Sequence, residues 1–346
     1  MKLAVLPVAD VVPDDWTVAP LFVLSDGELG LRPPGLTLVA DPGAADLCAL
    51  PALWSAYRGP ARAAALALLD REGDAGRRVV VWVDGDQEID LDHPAAILFE
   101  QGPEAARPRR HATVHPWPVL IHDHLADLYD GDPAPRTRAE RPQVGFCGQA
   151  AAPFSGHARL LAGKARARLA HRLGRTDRLA SPWRSHLRLR RRALAALADD
   201  ERVDTDFVIR DRYRAGVRHL ADRADRTHPT ATDFFANIRA NGYTLCVRGG
   251  GNFSTRLYET LCLGRIPVIV DTGLVLPWVG DVAWDELAVV VPAGDLGGLA
   301  DRLVAHHAQL DAEAFLDAQH RCRILWVERL SVAGFFTHLP ELLAPR

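Results

Sequence analysis

The sequence is poor in paired cysteines, long apolar runs and net charge, and each shortage removes a class of protein. Its five cysteines (Cys48, Cys147, Cys246, Cys262, Cys322) are odd in number and scattered, with no Cys-x-x-Cys pair. No disulfide framework is expected, and the thiols read as reduced, in a cytosol. No stretch approaches the roughly 18 apolar residues of a spanning helix. The opening run is broken by Pro7, Asp10 and Pro13, so neither a signal peptide nor an anchor is expected there. A net charge of −3 over 346 residues argues against a general nucleic-acid binder. There is one methionine and no internal repeat, and only an alanine and arginine bias colours the composition.

What is present is an ordinary globular chain, 48% hydrophobic and 25% charged, longer than one usual domain. Two domains are therefore expected. The segment 131–142, GDPAPRTRAERP, combines glycine, prolines and charge without periodicity and reads as the linker. Boundaries follow at 1–135 for an N-terminal α/β lobe, 136–310 for a C-terminal α/β lobe and 311–346 for C-terminal helices. In the first part, strands are expected at Leu21–Leu24, Leu36–Ala40, Arg78–Asp84, Ala96–Phe99 and Val119–Ile121, with a helix over Ala61–Glu72. In the second, strands fall at Val144–Cys147, Asp206–Ile209 and Leu287–Val291, with helices within 157–199 and 212–240, from Leu296 to Gln309, and over 312–343. Strands alternating with helices predict parallel sheets.

The chain is organised around Tyr243–Thr272, YTLCVRGGGNFSTRLYETLCLGRIPVIVDT. Tyr243–Val247 reads as a buried strand, Gly249, Gly250 and Gly251 as a turn, and Ile266–Val270 as a parallel core strand. Asn252 or Ser254 caps the short helix between them and Gly264 ends it. Free N–H groups at a helix start, preceded by glycines, suit phosphate oxygens. Arg248 and Arg256 add positive charge, and Glu259, one helical turn on from Arg256, is placed to hold both hydroxyls of a ribose. The turn lacks the Gly-Lys-Ser/Thr ending of a P-loop and the G-x-G-x-x-G spacing of a dinucleotide fold. A nucleoside diphosphate is the ligand these residues suggest.

The same stretch resembles the signature of the exostosin family, glycosyltransferase family 47: an Arg-Gly turn, a Ser, an Arg, a Glu, then a Gly and an Ile-Pro-Val strand. RPQVGFCG (141–148), DFVIRDRY (206–213) and VLPW with Trp284 (275–284) are similar to further family segments in the same order. The resemblance runs over roughly 141–300 and implies an α/β protein of two Rossmann-like lobes facing a cleft (GT-B type). It implies an inverting transfer, independent of metal, from a nucleotide-diphosphate sugar, UDP-linked, to a hydroxyl of a glycan or a lipid-linked acceptor. No cofactor beyond that co-substrate is expected. The expected site is Arg248, Gly249, Gly250, Gly251, Ser254, Arg256, Glu259 and Arg210 for the donor. Alanine at Arg256 or Glu259 is expected to abolish donor binding and leave the fold intact. An inactive nucleotide-sugar or glycan binder and a two-lobed sugar epimerase remain the alternatives.

An inverting transfer needs a base in the first lobe. Asp123 is the favoured candidate, with His122, Asp84 and Asp86 beside it. His122 and His124 sit at i and i+2 but lack a third metal ligand at recognisable spacing. Asp271, Trp278 and Trp284 are further candidates for the sugar pocket, against readings as a loop starter and as core aromatics. The arginine-rich region 157–192 reads as a solvated helix face or as a surface for an anionic acceptor or an inner-membrane contact. Without interleaved aromatics, RNA is not expected there. The location expected is cytoplasmic, with peripheral contact at the inner membrane as an extension.

Overall fold

The computed structural model describes residues 1–6, 8, 34–86, 88–150, 154–179, 185–212 and 228–344. Two parallel sheets carry the chain. The first joins β1 (Lys2–Val5), β2 (Thr37–Val39), β3 (Leu47–Leu53), β4 (Arg78–Trp82), β5 (Ala96–Glu100) and β6 (Thr113–Pro116) in the order β2-β1-β3-β4-β5-β6. The second joins β7 (Gln143–Gln149), β8 (Asp204–Arg210), β9 (Tyr243–Val247), β10 (Ile266–Asp271) and β11 (Val289–Pro292) in the order β11-β10-β9-β7-β8. The chain is α/β with two Rossmann-like lobes that face each other across a cleft, as expected.

The central strands of both sheets are apolar runs buried on both faces, which is what a parallel sheet covered by helices requires. Each residue of β5 and β9 is buried. Among the helices are α1 (Pro60–Asp74), α2 (His124–Tyr129), α3 (Phe154–Arg172), α4 (His186–Ala198), α5 (Pro229–Ala240) and α6 (Thr255–Cys262). They continue with α7 (Trp284–Leu287), α8 (Leu299–Gln309), α9 (Ala312–Leu325) and α10 (Val332–Leu343). Gly264 adopts φ of 62° directly after α6, the left-handed stop predicted for it.

Differences from expectation have local causes. Val119–Ile121 is not a strand. The ladder is made by Thr113–Pro116 instead, and Pro118, which has no N–H to give, marks where the chain leaves the sheet. Val119, Leu120 and Ile121 then pack as partly buried side chains on the core. β1 and β3 were not expected. Pro51 lies inside β3, where a proline argues against a strand, and it is accommodated at a register shift between Ala49 and Leu53. The strand expected at Leu21–Leu24 lies outside the described residues, as does much of the helical region expected after 212.

The linker is strapped to the second lobe. Arg265 is fully buried and donates to the carbonyls of Pro133, Ala134, Arg239, Leu263 and Gly264. It gathers two helix C-termini and the linker around one guanidinium, and desolvation lowers its pKa to about 10. Gln319 of α9 exchanges two hydrogen bonds with the Arg136 backbone. After α9 a π-helical turn at Trp326–Leu330 leads into α10, whose Phe335 and Phe336 pack tilted or edge-on against Trp82, Phe99 and Trp117 of the first lobe. The C-terminal helix thus packs on the lobe in which the chain begins.

Candidate active site

The second sheet reverses its winding between β7 and β9: β8 lies to one side of β7, and β9, β10 and β11 lie to the other. At such a switch point two adjacent strands send their loops to opposite faces and leave a crevice at their carboxyl ends. Here β7 and β9 are paired only at Val144–Tyr243 and Gly145–Thr244 and separate beyond. Two arginines span the widening gap. Arg256 of α6 donates to Cys147 O (2.7 Å) and Leu245 O (3.5 Å), with its guanidinium 4.2 Å above the Phe146 ring. Arg190 of α4 donates to Gln149 O, Val247 O and Arg248 O.

Arg248 and the three glycines follow β9 directly at this crevice. Arg248 is 3% exposed and donates to Asn252 Oδ1 (2.9 Å) and Gly250 O (3.3 Å), so it shapes the turn from within. Glu104 of the first lobe comes within 3.9 Å of it, and desolvation lowers its pKa to about 10, leaving it charged at neutral pH. The Gly249 amide is spent on Phe253 O. The amides of Gly250 and Gly251 donate to no described residue. A Cβ on Gly250 would meet the Asp86 carboxylate at 2.6 Å, and one on Gly251 would meet Asp86 Cα at 2.9 Å. The glycines are needed because the loop after β4 closes directly over the turn.

Arg248, Asn252 and Phe253 line a cleft together with Asp86, Glu88 and Glu100 of the first lobe, about 370 Å³ of open space. The cleft is pinned on two sides. Glu104 forms a bridge to Leu274, flanked by Ala105 N to Gly273 O and Val275 N to Pro103 O. Ile89 bridges Arg178, flanked by Asp90 N to Asp177 O and Leu179 N to Glu88 O.

Other residues named from the sequence are distributed as follows. Ser254 is the N-cap residue of α6 but makes no cap with its hydroxyl. Glu259 is 9% exposed on the same helix and interacts electrostatically with Arg256. Neither it nor Arg256 lines the cleft. Arg210, at the end of β8, donates to Thr230 O (3.0 Å) and pairs with Asp233 (3.3 Å). Asp271 accepts from the amides of Gly273 and Leu274 and so starts a loop. Trp278 and Trp284 are buried, their indole N–H groups bound to Arg329 O and Pro277 O, so core packing is their role.

The first-lobe base candidates lie in different surroundings. Asp123 caps α2 by accepting from Leu125 N and Ala126 N, and it takes a bidentate pair from Arg323 (2.9 and 2.6 Å). Although burial opposes it, Arg323 holds the carboxyl below the usual carboxylate range. A carboxylate so saturated with donors is a poor proton acceptor. Asp84 is committed to the Ser55 amide and hydroxyl. His122 is exposed, whereas His124 is buried against Phe235 at 4.5 Å. Among the described residues no cluster of three or more His, Cys, Asp or Glu is placed to hold a metal. Of these base candidates only Asp86 lines the cleft.

Glu88, Glu100, Glu104, Asn252 and Arg190 were missed by sequence reasoning. Glu100 carried a signal: it closes the buried run Ala96–Glu100, and a carboxylate at the carboxyl end of such a strand faces the ligand side of a parallel sheet. In the basic region, α3 is largely exposed. Its Lys164 is partly buried, and its pKa is lowered by burial and then by the charges of Arg248 and Arg168, so one cation of that helix lies near the cleft.

No family model matches the chain. It is similar to the "Probable glucuronoxylan glucuronosyltransferase IRX7" of Arabidopsis thaliana, 35% identical over 68 residues, or 20% of this chain and 15% of the relative. It is similar also to the "Probable beta-1,4-xylosyltransferase IRX10" of the same plant, 33% identical over 69 residues, 20% of this chain and 16% of the relative. The match thus spans about 15% of the length of these curated relatives. The exostosin-type resemblance is found again over one fifth of the chain. Among solved structures, Anabaena Alr3699/HepE in complex with UDP-glucose aligns over 99% of both chains at 12% identity and a TM-score of 0.41. A glycosyltransferase from Rickettsia africae ESF-5 aligns over 86% of this chain and 76% of that one, at 10% identity and a TM-score of 0.39.

Proposed function

We propose that this protein is an inverting glycosyltransferase that takes a sugar from a nucleotide-diphosphate donor, UDP-linked, and places it on a hydroxyl of a glycan or another acceptor. The observation that carries this reading is the glycine turn. It sits at the switch point of the second sheet, between Arg248 and the Asn252 and Phe253 that line the cleft, and holds amides with no described partner. The short resemblance to glucuronosyl- and xylosyltransferases covers a fifth of the chain and supports the same chemistry.

In this reading the Gly250 and Gly251 amides and the start of α6 receive the diphosphate, and Arg248 offsets the charge that builds on it as the sugar departs. The Ser254 hydroxyl, free of a cap, is available to a phosphate oxygen. Arg256 acts from beneath, by holding β7 and β9 apart at the crevice. The ribose role comes to Glu259, which stands outside the cleft lining, from the sequence and its resemblance alone, and Arg210, at the edge of the same strand-end row, adds distant positive charge. Lys164 of α3 contributes a further cation near Arg248. The acceptor enters from the first lobe, whose loops after β4 and β5 form the facing side.

The test is UDP or GDP release, and CMP release as a control, from a panel of sugar nucleotides. One donor turned over, with inversion at the anomeric carbon, supports the reading. Saturable binding without turnover of any donor makes the protein a binding module, and isomerisation of the donor makes it an epimerase.

A further inference from the structure

Within the first lobe one carboxylate differs from the others in what its oxygens touch. Glu100 ends β5 at the carboxyl edge that faces the cleft and is 2% exposed. Its Oε1 accepts from Arg109 Nη2 at 3.2 Å. Its Oε2 is buried and has no hydrogen-bond partner among the described residues. Leaving such an oxygen unpaired is costly, so it persists where a ligand completes it or a reaction uses it.

The neighbouring carboxylates are occupied. Glu88 accepts from the Glu104 amide and pairs with Arg107, and Glu104 lies beside Arg107 and Arg248. Asp86 lies against Gly250 and Gly251, where the leaving diphosphate would sit and where a base would face like charge.

We propose that Glu100 is the general base of the transfer, an inference that rests on the transferase reading above. Its Oε2 takes the proton of the acceptor hydroxyl as that oxygen forms a bond to the anomeric carbon. The bond from that carbon to the phosphate oxygen breaks, and its electron pair leaves with the nucleoside diphosphate. Arg109 holds the other oxygen and so aims the carboxylate.

Burial pushes the Glu100 carboxyl up to about 7, the Glu88 charge acts in the same direction, and Arg109 opposes both. Asp86, Glu104, Arg107 and, from the second lobe, Arg248 are the other charged groups along this wall or across from it. A base with this value is unprotonated above neutrality and accepts a proton readily.

The experiment measures UDP release from the sugar nucleotide that the wild type uses, with water as the hydroxyl acceptor, between pH 5 and 9, alongside UDP affinity by calorimetry. The wild-type rate should fall about tenfold per pH unit below roughly 7. Glu100→Gln should keep UDP affinity within about threefold, lose about 10²–10⁴-fold in rate and lose the acid limb. Glu100→Asp should recover part of the rate and the limb. A Glu100→Gln rate within threefold of wild type, an unchanged limb, or parallel loss of UDP binding and rate overturns the assignment. If the wild type binds UDP but turns over no donor, the transferase reading fails and this inference falls with it; wild-type turnover with an indifferent Glu100→Gln sinks this inference alone.

Discussion

Arg256 shows how one side chain can serve a ligand site without touching the ligand. From the sequence it belongs beside Arg248 as a second cation for phosphate. In the folded chain its head lies between two diverging strands, bonded to their carbonyls and stacked on Phe146. A buried guanidinium in that position is held by hydrogen bonds and ring contact, and removing it leaves carbonyls unpaired and a void. Arg256→Ala should therefore destabilise the fold on the order of 3 kcal/mol, measured by urea denaturation. A variant with wild-type stability and selectively lost nucleotide binding would restore the simpler phosphate role. Glu259→Ala, by contrast, is expected to act on nucleotide affinity first.

At the scale of elements, α2 and α9 are tied across the molecule by Asp123 and Arg323. Asp123 serves two structures at once, a helix N-terminus and an ion pair, which is why its pKa is held low. A carboxyl depressed in the folded state adds stability that is complete above its unfolded value, about 3.9, and is lost as the pH falls through the lower folded value. Asp123→Ala should cost about 1–2 kcal/mol at pH 7, and the difference from wild type should shrink at pH 3 in denaturant titrations. A difference that stays constant with pH would remove the ion pair from the account.

The centre of the second sheet was legible because β9 and β10 are buried, largely apolar runs, each preceded by a glycine turn: Tyr243–Val247 is β9 residue for residue, and Ile266–Val270 needs only Asp271 to complete β10. β3 was not legible, because Pro51 interrupts its pattern and only tertiary pairing absorbs it. The glycine turn announced its position, but what stands opposite it did not. Asp86 and Glu104 reach Arg248 through the packing of two lobes, and no spacing along the chain encodes that approach. For the same reason Asp123 looked like a base when viewed alone. Arg323, 200 positions away, decides otherwise.

At the scale of the whole molecule, the lobes meet through backbone bridges on both sides of the cleft, and α10 carries the end of the chain back onto the first sheet. Among the described residues no helix is long and apolar enough to cross a membrane. The cleft so enclosed is rich in carboxylates on the first-lobe wall and presents Arg248, Asn252 and Phe253 on the other. That asymmetry fits an anionic leaving group on one side and a proton acceptor on the other. The direct measurement is a calorimetric titration of UDP into the wild type and into Arg248→Gln. Saturable binding in the wild type, weakened at least about tenfold in the variant, is the predicted result; no binding to the wild type, or equal affinity in both, contradicts it.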